Sequence, residues 1–213
     1  MDLSGIKNII FDLGGVILDI DVVRTIQGFE GFGLVGISDA SIVHSSYPFL
    51  EKYETGRIST EDFRNELRKA AGTAVADESI DAVWNDMLVG FEPQKIDLLR
   101  SLRPQYRLFL LSNTNAMHEV MYNKMLREAT GVDNLSELFD AVFYSHRINM
   151  RKPDREIFEH VLKTASLVPE ETLFIDDSRV HIESASQLGI VCYHLAPGDS
   201  LLTFFAGQKG AKA

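Results

Sequence analysis

The chain of 213 residues is poor in several features, and each shortage excludes a class of protein. Cys192 is the only cysteine, which excludes a disulfide framework and a multi-thiolate metal site within the chain. Uninterrupted apolar runs are far shorter than the ~20 residues that a membrane helix needs. Residues 1–5 show no basic region followed by an apolar stretch, so we expect no signal peptide. These shortages predict a protein of the reducing cytoplasm with no membrane partner.

Cationic residues are also scarce in this chain. Lys and Arg number 21 against 31 Asp and Glu, and the formal net charge is −10 at pH 7. Domains that bind nucleic acids usually carry the opposite sign, so we expect no nucleic-acid partner. A small anionic substrate is compatible with this charge, because a local pocket can be positive on a negative protein. The oligomeric state stays unknown at this stage.

Five short apolar segments are predicted to be buried strands. Each is a continuous apolar run followed by polar residues, as is typical of parallel strands covered on both faces. Segments with helical spacing separate them, for example the apolar residues that follow Pro153. This alternation predicts an α/β fold with a doubly wound parallel sheet. The predicted strands are 8–11, 107–111, 141–144, 172–175 and 190–194.

The alternation is interrupted between residues 16 and 95, where we find only helix-like segments. The clearest begins at Ser59, with Asp62 three residues later in a capping-box pattern. Another covers about 78–88 and includes Trp84, the single tryptophan. The predicted organisation is a core domain of 1–15 and 96–206, a helical cap domain of 16–95, and a flexible tail of 207–213.

Polar residues follow four of the predicted strands. In isolation, each group is explained equally well as a turn, a helix cap or a solvated charge pair. Open α/β sheets bind their ligands beyond the carboxyl ends of the strands, however, and all four groups would meet there at one edge of the sheet. The groups are Asp12-Leu13-Gly14-Gly15, Ser112-Asn113-Thr114-Asn115, Arg151-Lys152-Pro153-Asp154 and Asp176-Asp177-Ser178.

Carboxylates of Asp12, Asp176 and Asp177 would repel one another at that edge unless a cation lay between them. Oxygen ligands without a suitably placed histidine favour a hard ion, and we predict Mg²⁺. Lys152 then supplies a second positive charge, and Ser112 with nearby backbone N–H groups supplies donors to a phosphate. The residues therefore predict a phosphoryl-binding site with Asp12 as the candidate nucleophile.

With all four motifs in order, the chain resembles the haloacid dehalogenase-like (HAD-like) hydrolase superfamily. Within it, Phe-Asp-Leu-Gly-Gly-Val, Leu-Ser-Asn-Thr-Asn, Arg-Lys-Pro-Asp and Phe-Ile-Asp-Asp-Ser resemble the bacterial α-D-glucose-1-phosphate phosphatase branch. The resemblance implies a Rossmann-like core with strand order 5-4-1-2-3. It also implies a helical cap after the first strand, which corresponds to the stretch between residues 16 and 95.

The resemblance implies a role for each matching residue around the phosphate. Asp12 stands where the family has its nucleophile, which also binds magnesium. Ser112 stands where a hydroxyl holds the transferring phosphoryl group, aided by the backbone N–H of Asn113. Lys152 stands where a lysine neutralises charge between the nucleophile and the phosphate.

The implied metal site consists of Asp12, the backbone carbonyl of Gly14, and the Asp176-Asp177 pair. Asp177 matches the family's acidic ligand, while Asp176 is expected to act behind it or through water; which of the two binds directly stays open. His181, four residues after Asp177, stands where many relatives carry a further acid. A role at the site and a role on the helix surface are equally compatible with this histidine.

Gly14 departs from the family pattern, because most of these phosphatases carry there a second aspartate that moves a proton. General acid–base catalysis contributes about 10²–10⁴-fold, so something must replace it. Asp19, Asp21 and His44 are candidates. Alternatively, the substrate needs little acid, as a sugar 1-phosphate would, because an anomeric hydroxyl is more acidic than an ordinary alcohol.

The sequence thus predicts a magnesium-dependent phosphatase of a small phosphorylated metabolite, such as a hexose 1-phosphate, that works through an aspartyl-phosphate. Two alternatives remain: a phosphomutase with the same core, and a phosphate-binding or scaffold protein that lacks the general acid at Gly14. A haloacid dehalogenase, which attacks carbon without a metal, is disfavoured by the Asp176-Asp177 pair.

Overall fold

The computed structural model describes residues 1–37 and 46–209. Its strands are β1 (Asn8–Phe11), β2 (Leu18–Ile20), β3 (Leu88–Phe91), β4 (Arg107–Ser112), β5 (Ala141–Tyr144), β6 (Thr172–Asp176) and β7 (Val191–His194). Its helices are α1 (Val22–Gly31), α2 (Pro48–Glu54), α3 (Thr60–Ala71), α4 (Asp77–Asn85), α5 (Pro93–Leu102), α6 (Ala116–Thr130), α7 (Ser145–Ile148), α8 (Arg155–Thr164), α9 (Arg179–Ser186) and α10 (Leu201–Lys209).

The central sheet has five parallel strands in the order β5-β4-β1-β6-β7. Numbered from one to five along the chain, these strands read 5-4-1-2-3 from one edge, as the sequence predicted. All five predicted strands are present, with ends that shift by at most one residue. Continuous apolar runs form them because both faces of the sheet are covered.

Alternate residues of each strand pack on opposite faces of the sheet. On β1, for example, Ile9 and Phe11 join a cluster with α5, α6 and α10, while Ile10 joins a cluster with α8 and α9. Burial of each such side chain contributes about 1.5–3 kcal/mol. The sheet is therefore the middle layer of a three-layer core, and the carboxyl ends of its strands meet at one edge.

Helices α1–α4 lie between β2 and β3, and we call this segment the cap. Most residues of a second apolar cluster lie in it. Phe29, Phe63, Leu67 and Ile80 are buried there together with Trp84. The capping box predicted at Ser59 is present: the Ser59 hydroxyl accepts from the Asp62 N–H at 3.0 Å, and the Asp62 carboxylate accepts from the Ser59 N–H at 3.2 Å. The first turn of α3 is thus fixed by its own sequence.

The prediction of only helical segments between 16 and 95 is wrong at two places. Strands β2 and β3 pair antiparallel, with Leu18 opposite Phe91. The helix predicted over 78–88 ends at Asn85, and Leu88 already begins β3. Periodicity misses such short strands because they are defined by a partner far away in the chain rather than by their own pattern.

The predicted tail is wrong for residues 207–209, because α10 continues to Lys209. Leu201, Phe204 and Phe205 of this helix pack into the cluster on one face of the sheet, which holds the helix in place. Residues 210–213 lie outside the described part of the chain. Within that part, no helix combines the length and the apolar character that crossing a membrane requires.

Candidate active site

Three carboxylates meet at the carboxyl edge of the sheet. Strands β1 and β6 are neighbours, and the N–H of Asp12 continues their ladder by donating to the Ile175 carbonyl at 2.9 Å. This register places Asp12 beside Asp176 and Asp177, and oxygen atoms of the three side chains all lie within 4.8 Å of one another. The structure thus brings together the carboxylates that the sequence predicted to converge.

Lys152 lies between two of these carboxylates. Its ammonium is 2.7 Å from an Asp12 oxygen and 2.6 Å from an Asp176 oxygen, and the side chain is fully buried. The side chain of Asn113 holds the Lys152 backbone: its amide donates to the Lys152 carbonyl and its oxygen accepts from the Lys152 N–H, both at 2.9 Å. We call Asp12, Lys152, Asp176 and Asp177 the charged cluster.

The two buried carboxylates that share the ammonium of Lys152 differ in pKa. Burial raises the pKa of Asp12 to about 6 against the attraction of Lys152, and the charge of Asp176 adds to the rise. Burial also opposes ionisation of Asp176, but Lys152 and a hydrogen bond from His181 outweigh it and lower the pKa of Asp176 to about 2. Asp176 is therefore the firm anion of the pair, and Asp12 is the more reactive one.

The oxygens of Asp176 are occupied by protein donors. Lys152 and His181 Nδ1 lie within 3.0 Å, and the Ser178 N–H donates at 2.8 Å. His181 thus lies at the site and contacts Asp176, rather than lying only on the helix surface. Asp177 reaches solvent, but its carboxylate is surrounded by protein on one side, and this partial burial together with the charge of Asp176 raises its pKa.

The turn after β1 is built around the carboxylate of Asp177. Gly15 has φ of +74°, and a Cβ at this position would lie 2.2 Å from an Asp177 oxygen. Both observations require glycine at position 15. At Gly14, a Cβ would lie 3.1 Å from the Ile20 Cδ1, so the side chain of Ile20 covers the position of the missing acid.

The loop that follows β4 is fastened at every residue after Ser112. Ser112 is buried at the strand end, and Asn113 holds Lys152 as described. The Thr114 N–H donates to the Ser145 hydroxyl at 2.8 Å. Asn115 caps α6 by accepting from the His118 N–H at 3.1 Å.

The carboxylates considered as substitute acids have other partners. Asp19 is 2.5 Å from the ammonium of Lys95. Asp21 caps α1 by accepting from the Val23 N–H at 3.1 Å and pairs with Arg24. His44 lies outside the described residues. These contacts assign Asp19 and Asp21 to structural roles.

A family model, described as haloacid dehalogenase-like hydrolase, matches residues 6–189. The chain belongs to the haloacid dehalogenase-like hydrolases. It is 32% identical over 185 residues to a D-ribitol-5-phosphate phosphatase of Bacteroides thetaiotaomicron, covering 86% of this chain and 89% of that one. It is also 30% identical over 200 residues to a sesquiterpene phosphatase of Aspergillus oryzae, covering 92% of each.

Solved structures agree with this membership. A haloacid dehalogenase family enzyme of Bacteroides thetaiotaomicron, crystallised with magnesium and inorganic phosphate, superposes with a TM-score of 0.80 at 35% identity, over 94% of this chain and 99% of that one. The predicted superfamily, the class of phosphate-ester hydrolase and magnesium as the cofactor are confirmed by these relatives. The finer resemblance to glucose-1-phosphate phosphatases stays a prediction.

The donor set of this haloacid dehalogenase-like hydrolase fits the metal. Three carboxylates against the one ammonium of Lys152 leave an excess of two negative charges when all are ionised, which a divalent cation balances. All three donors are oxygens, the ligands that Mg²⁺ prefers. Because the oxygens of Asp176 already have protein partners, Asp12 and Asp177 are the better placed direct ligands.

Sequence reasoning missed Ser145 and His118, and it predicted a phosphate contact for Asn113 but not the role of its side chain. Asn113 positions Lys152, Ser145 accepts from the loop after β4, and His118 packs beneath that loop. The Ser145 hydroxyl and the Asn113 side chain gave no signal for these contacts, because their partners lie 31 or more residues away in the chain. His118 follows Asn115 by three residues, the spacing of a helix cap, and this was the one available clue.

Proposed function

We propose that this chain is a magnesium-dependent phosphatase that hydrolyses a small phosphorylated sugar through an aspartyl-phosphate on Asp12. The observation that carries the proposal is the charged cluster: a nucleophilic carboxylate with a raised pKa lies 2.7 Å from a buried lysine and next to two further carboxylates. Such a group is poised to attack phosphorus rather than to stabilise the fold.

In the first step, an Asp12 oxygen attacks phosphorus in line and the bond from phosphorus to the alcohol oxygen breaks. The electron pair leaves with that oxygen, which becomes the alcohol by taking a proton from water. Lys152, the Ser112 hydroxyl and the Asn113 N–H offset the charge on the other phosphoryl oxygens. Asp12, Asp177 and the Gly14 carbonyl would hold Mg²⁺, which supplies further charge neutralisation at the phosphoryl group when bound.

In the second step, water attacks the phosphorus of the aspartyl-phosphate. The bond from phosphorus to the Asp12 oxygen breaks, inorganic phosphate leaves, and the carboxylate is restored. The electron pair stays on Asp12, and the proton lost by the water leaves with phosphate or solvent. Asp176 keeps Lys152 charged and oriented throughout, because its own pKa is low.

The finer proposal for the substrate is a sugar phosphate whose leaving oxygen needs little acid, such as a hexose 1-phosphate. Gly14 has no proton to give, and Ile20 covers the space above it. The two described candidates for a substitute acid, Asp19 and Asp21, are held by other partners. The similarity to a D-ribitol-5-phosphate phosphatase supports a phosphorylated carbohydrate or polyol as the substrate class.

The test is release of inorganic phosphate from a panel of sugar and polyol phosphates in the presence of Mg²⁺. It is repeated with a chelator, with Asp12→Asn, and with Asp19→Asn as a matched control outside the charged cluster. We expect the chelator and Asp12→Asn to abolish release, while Asp19→Asn retains it. Release that survives both would rule out the proposed mechanism, and equal rates on 1- and 6-phosphates would rule out the finer substrate.

The same experiment separates the alternatives. A phosphomutase would interconvert sugar phosphates on this panel without net phosphate release. A phosphate-binding or scaffold protein would show neither reaction yet would still bind inorganic phosphate in calorimetry.

A further inference from the structure

Three buried side chains connect the cap to the loop that carries Ser112. Trp84 of α4 donates its indole N–H to the Asn115 oxygen at 3.1 Å. The Asn115 amide donates to His118 Nδ1 at 3.0 Å, and His118 Nε2 donates to the Trp84 carbonyl at 2.9 Å. We call Trp84, Asn115 and His118 the neutral network, since each polar atom of these side chains has a partner.

The directions of these hydrogen bonds follow from chemistry. A carbonyl only accepts, so His118 must carry its proton on Nε2 and accept on Nδ1. Burial lowers the pKa of His118 to about 4, which keeps the ring neutral at physiological pH. The indole of Trp84 also stacks on this ring, with centroids 4.9 Å apart and planes 19° apart. The network has therefore one arrangement, which makes it suited to positioning.

The apolar core of the cap extends into the same helix. Met117 of α6 is buried in the cap cluster, and its N–H donates to the Tyr53 hydroxyl at 3.2 Å. The cap cannot leave α6 without drawing Met117 out of that cluster and breaking the neutral network. Uncovering buried apolar surface and unpaired polar groups together is costly.

A second contact holds the other side of the cap. The Ser145 hydroxyl, which accepts from Thr114, donates to the Glu54 carbonyl at 2.6 Å. Asn149 donates to the Thr55 carbonyl at 2.8 Å. Gly56 packs so closely on α7 that a Cβ would lie 2.0 Å from the His146 carbonyl oxygen. The cap is thus fastened to both loops that border the charged cluster.

We propose that Trp84, Asn115 and His118 are positioning residues that tie the Ser112 loop to the cap, so that the cap stays seated on α6 while ligands bind and leave. The positioning role of these three residues rests on the proposed function, because it assumes that Ser112 holds a phosphoryl group. The proposal that the cap stays seated on α6 does not depend on that function. Substrate then enters beside the cap rather than by its swinging away from α6, which favours small substrates.

Fluorescence tests the seated cap without any turnover, because Trp84 is the single tryptophan. Acrylamide quenching is measured on the wild-type protein with EDTA, with Mg²⁺, and with Mg²⁺ plus inorganic phosphate. A seated cap keeps Trp84 equally protected in all three, with the urea-unfolded protein as the exposed reference. Quenching that is severalfold stronger before phosphate is added would show that the cap lifts, and would overturn the proposal even in an active phosphatase.

A double-mutant cycle tests the positioning role. Trp84→Phe keeps the aromatic stack but removes the donor to Asn115, and Asn115→Ser keeps a cap for α6 but cannot reach Trp84. Each single variant should weaken the binding of inorganic phosphate about tenfold and raise KM more than it lowers kcat, and the double variant should be no worse than either.

Two outcomes would contradict that role. Phosphate affinity that stays at the wild-type value while the melting temperature falls would make the network structural only, and independent losses in the double variant would mean that Trp84 and Asn115 act separately. If the wild-type protein neither binds nor releases phosphate, the proposed function and the positioning role fail together. The quenching result still decides the seated cap.

Discussion

The charged cluster and the neutral network are both buried and polar, and they lie at opposite ends of the loop after β4, yet they are built differently. In the charged cluster, Asp12 and Asp176 share the one ammonium of Lys152, and burial together with the charge of Asp176 opposes the ionisation of Asp12. In the neutral network, every donor meets an acceptor and no charge is present. The charged cluster, whose charges are incompletely paired, is suited to reactivity. The neutral network, whose hydrogen bonds are all paired, is suited to rigidity.

Asp12→Asn should produce the largest effect. Turnover should fall at least ~10³-fold because the proposed nucleophile is lost, whereas the metal-free protein should melt at a higher temperature. The raised pKa means that Asp12 favours folding below its unfolded value of 3.8 and that this contribution is lost as pH rises through about 6. Calorimetric melting at pH 7 with EDTA checks the sign. A lower melting temperature would show that the charge of Asp12 is well compensated.

Lys152→Met should be strongly destabilising, by about 3–5 kcal/mol, because it leaves buried carboxylates without a cation. Urea unfolding at pH 7 measures the loss. Lys163→Met, at an exposed position on α8, is the matched control and should change little. Equal effects of the two substitutions would show that the buried carboxylates do not depend on Lys152. The contrast between the charged cluster and the neutral network would then fail.

His118 predicts a pH dependence of stability that comes from the neutral network and is opposite in sign to that of Asp12. Its pKa is about 4 in the fold against 6.5 for the free side chain, so its contribution is complete above pH 6.5. As pH falls from 6.5 to 4, His118 becomes protonated in the unfolded chain but stays neutral in the folded protein. Roughly 3 kcal/mol of stability is lost over this range. Between those pH values, the free energy of unfolding should increase with pH by less in His118→Gln than in the wild-type protein. An unchanged slope would mean that His118 is charged in the fold.

The smallest expected effect is on the stability of glycine variants. It distinguishes the cost of a left-handed backbone from the cost of disturbing the contact between the cap and α7. Gly56 and Gly72 have nearly the same left-handed backbone, with φ of +66° and +65°, but only at Gly56 would a Cβ meet a neighbour within 4 Å. Gly72→Ala should cost about 1 kcal/mol, and Gly56→Ala about 1–3 kcal/mol more because it pushes α7 away from the cap. Melting curves of the two variants decide it, and equal losses would argue against a tight cap contact.

Patterns local to the chain were predictable from the sequence. The five core strands are continuous apolar runs, and the Ser59–Asp62 capping box lies within four residues, so both could be predicted from neighbouring residues alone. The meeting of Asp12, Lys152, Asp176 and Asp177 followed from the rule that parallel strands end at one edge.

Contacts between distant segments were not predictable. Strands β2 and β3 are short, and Leu18 finds Phe91 only in the folded chain. The same is true of Trp84, whose partner Asn115 is 31 residues away, and of Ser145, which links the Ser112 loop to the cap. No periodicity or motif marks a side chain whose role depends on where a distant segment packs in the folded chain.

The turn at Gly15 has a consequence for how this protein can change. Because the carboxylate of Asp177 occupies the space that any side chain at position 15 would need, the two positions are coupled although they are far apart in the chain. A mutational scan should find every single replacement of Gly15 harmful to catalysis. Relief should come from shortening or removing the acid at 177. Because Asp177 is a proposed Mg²⁺ ligand, we expect that change to abolish activity as well, which would leave no single-step route away from this pair.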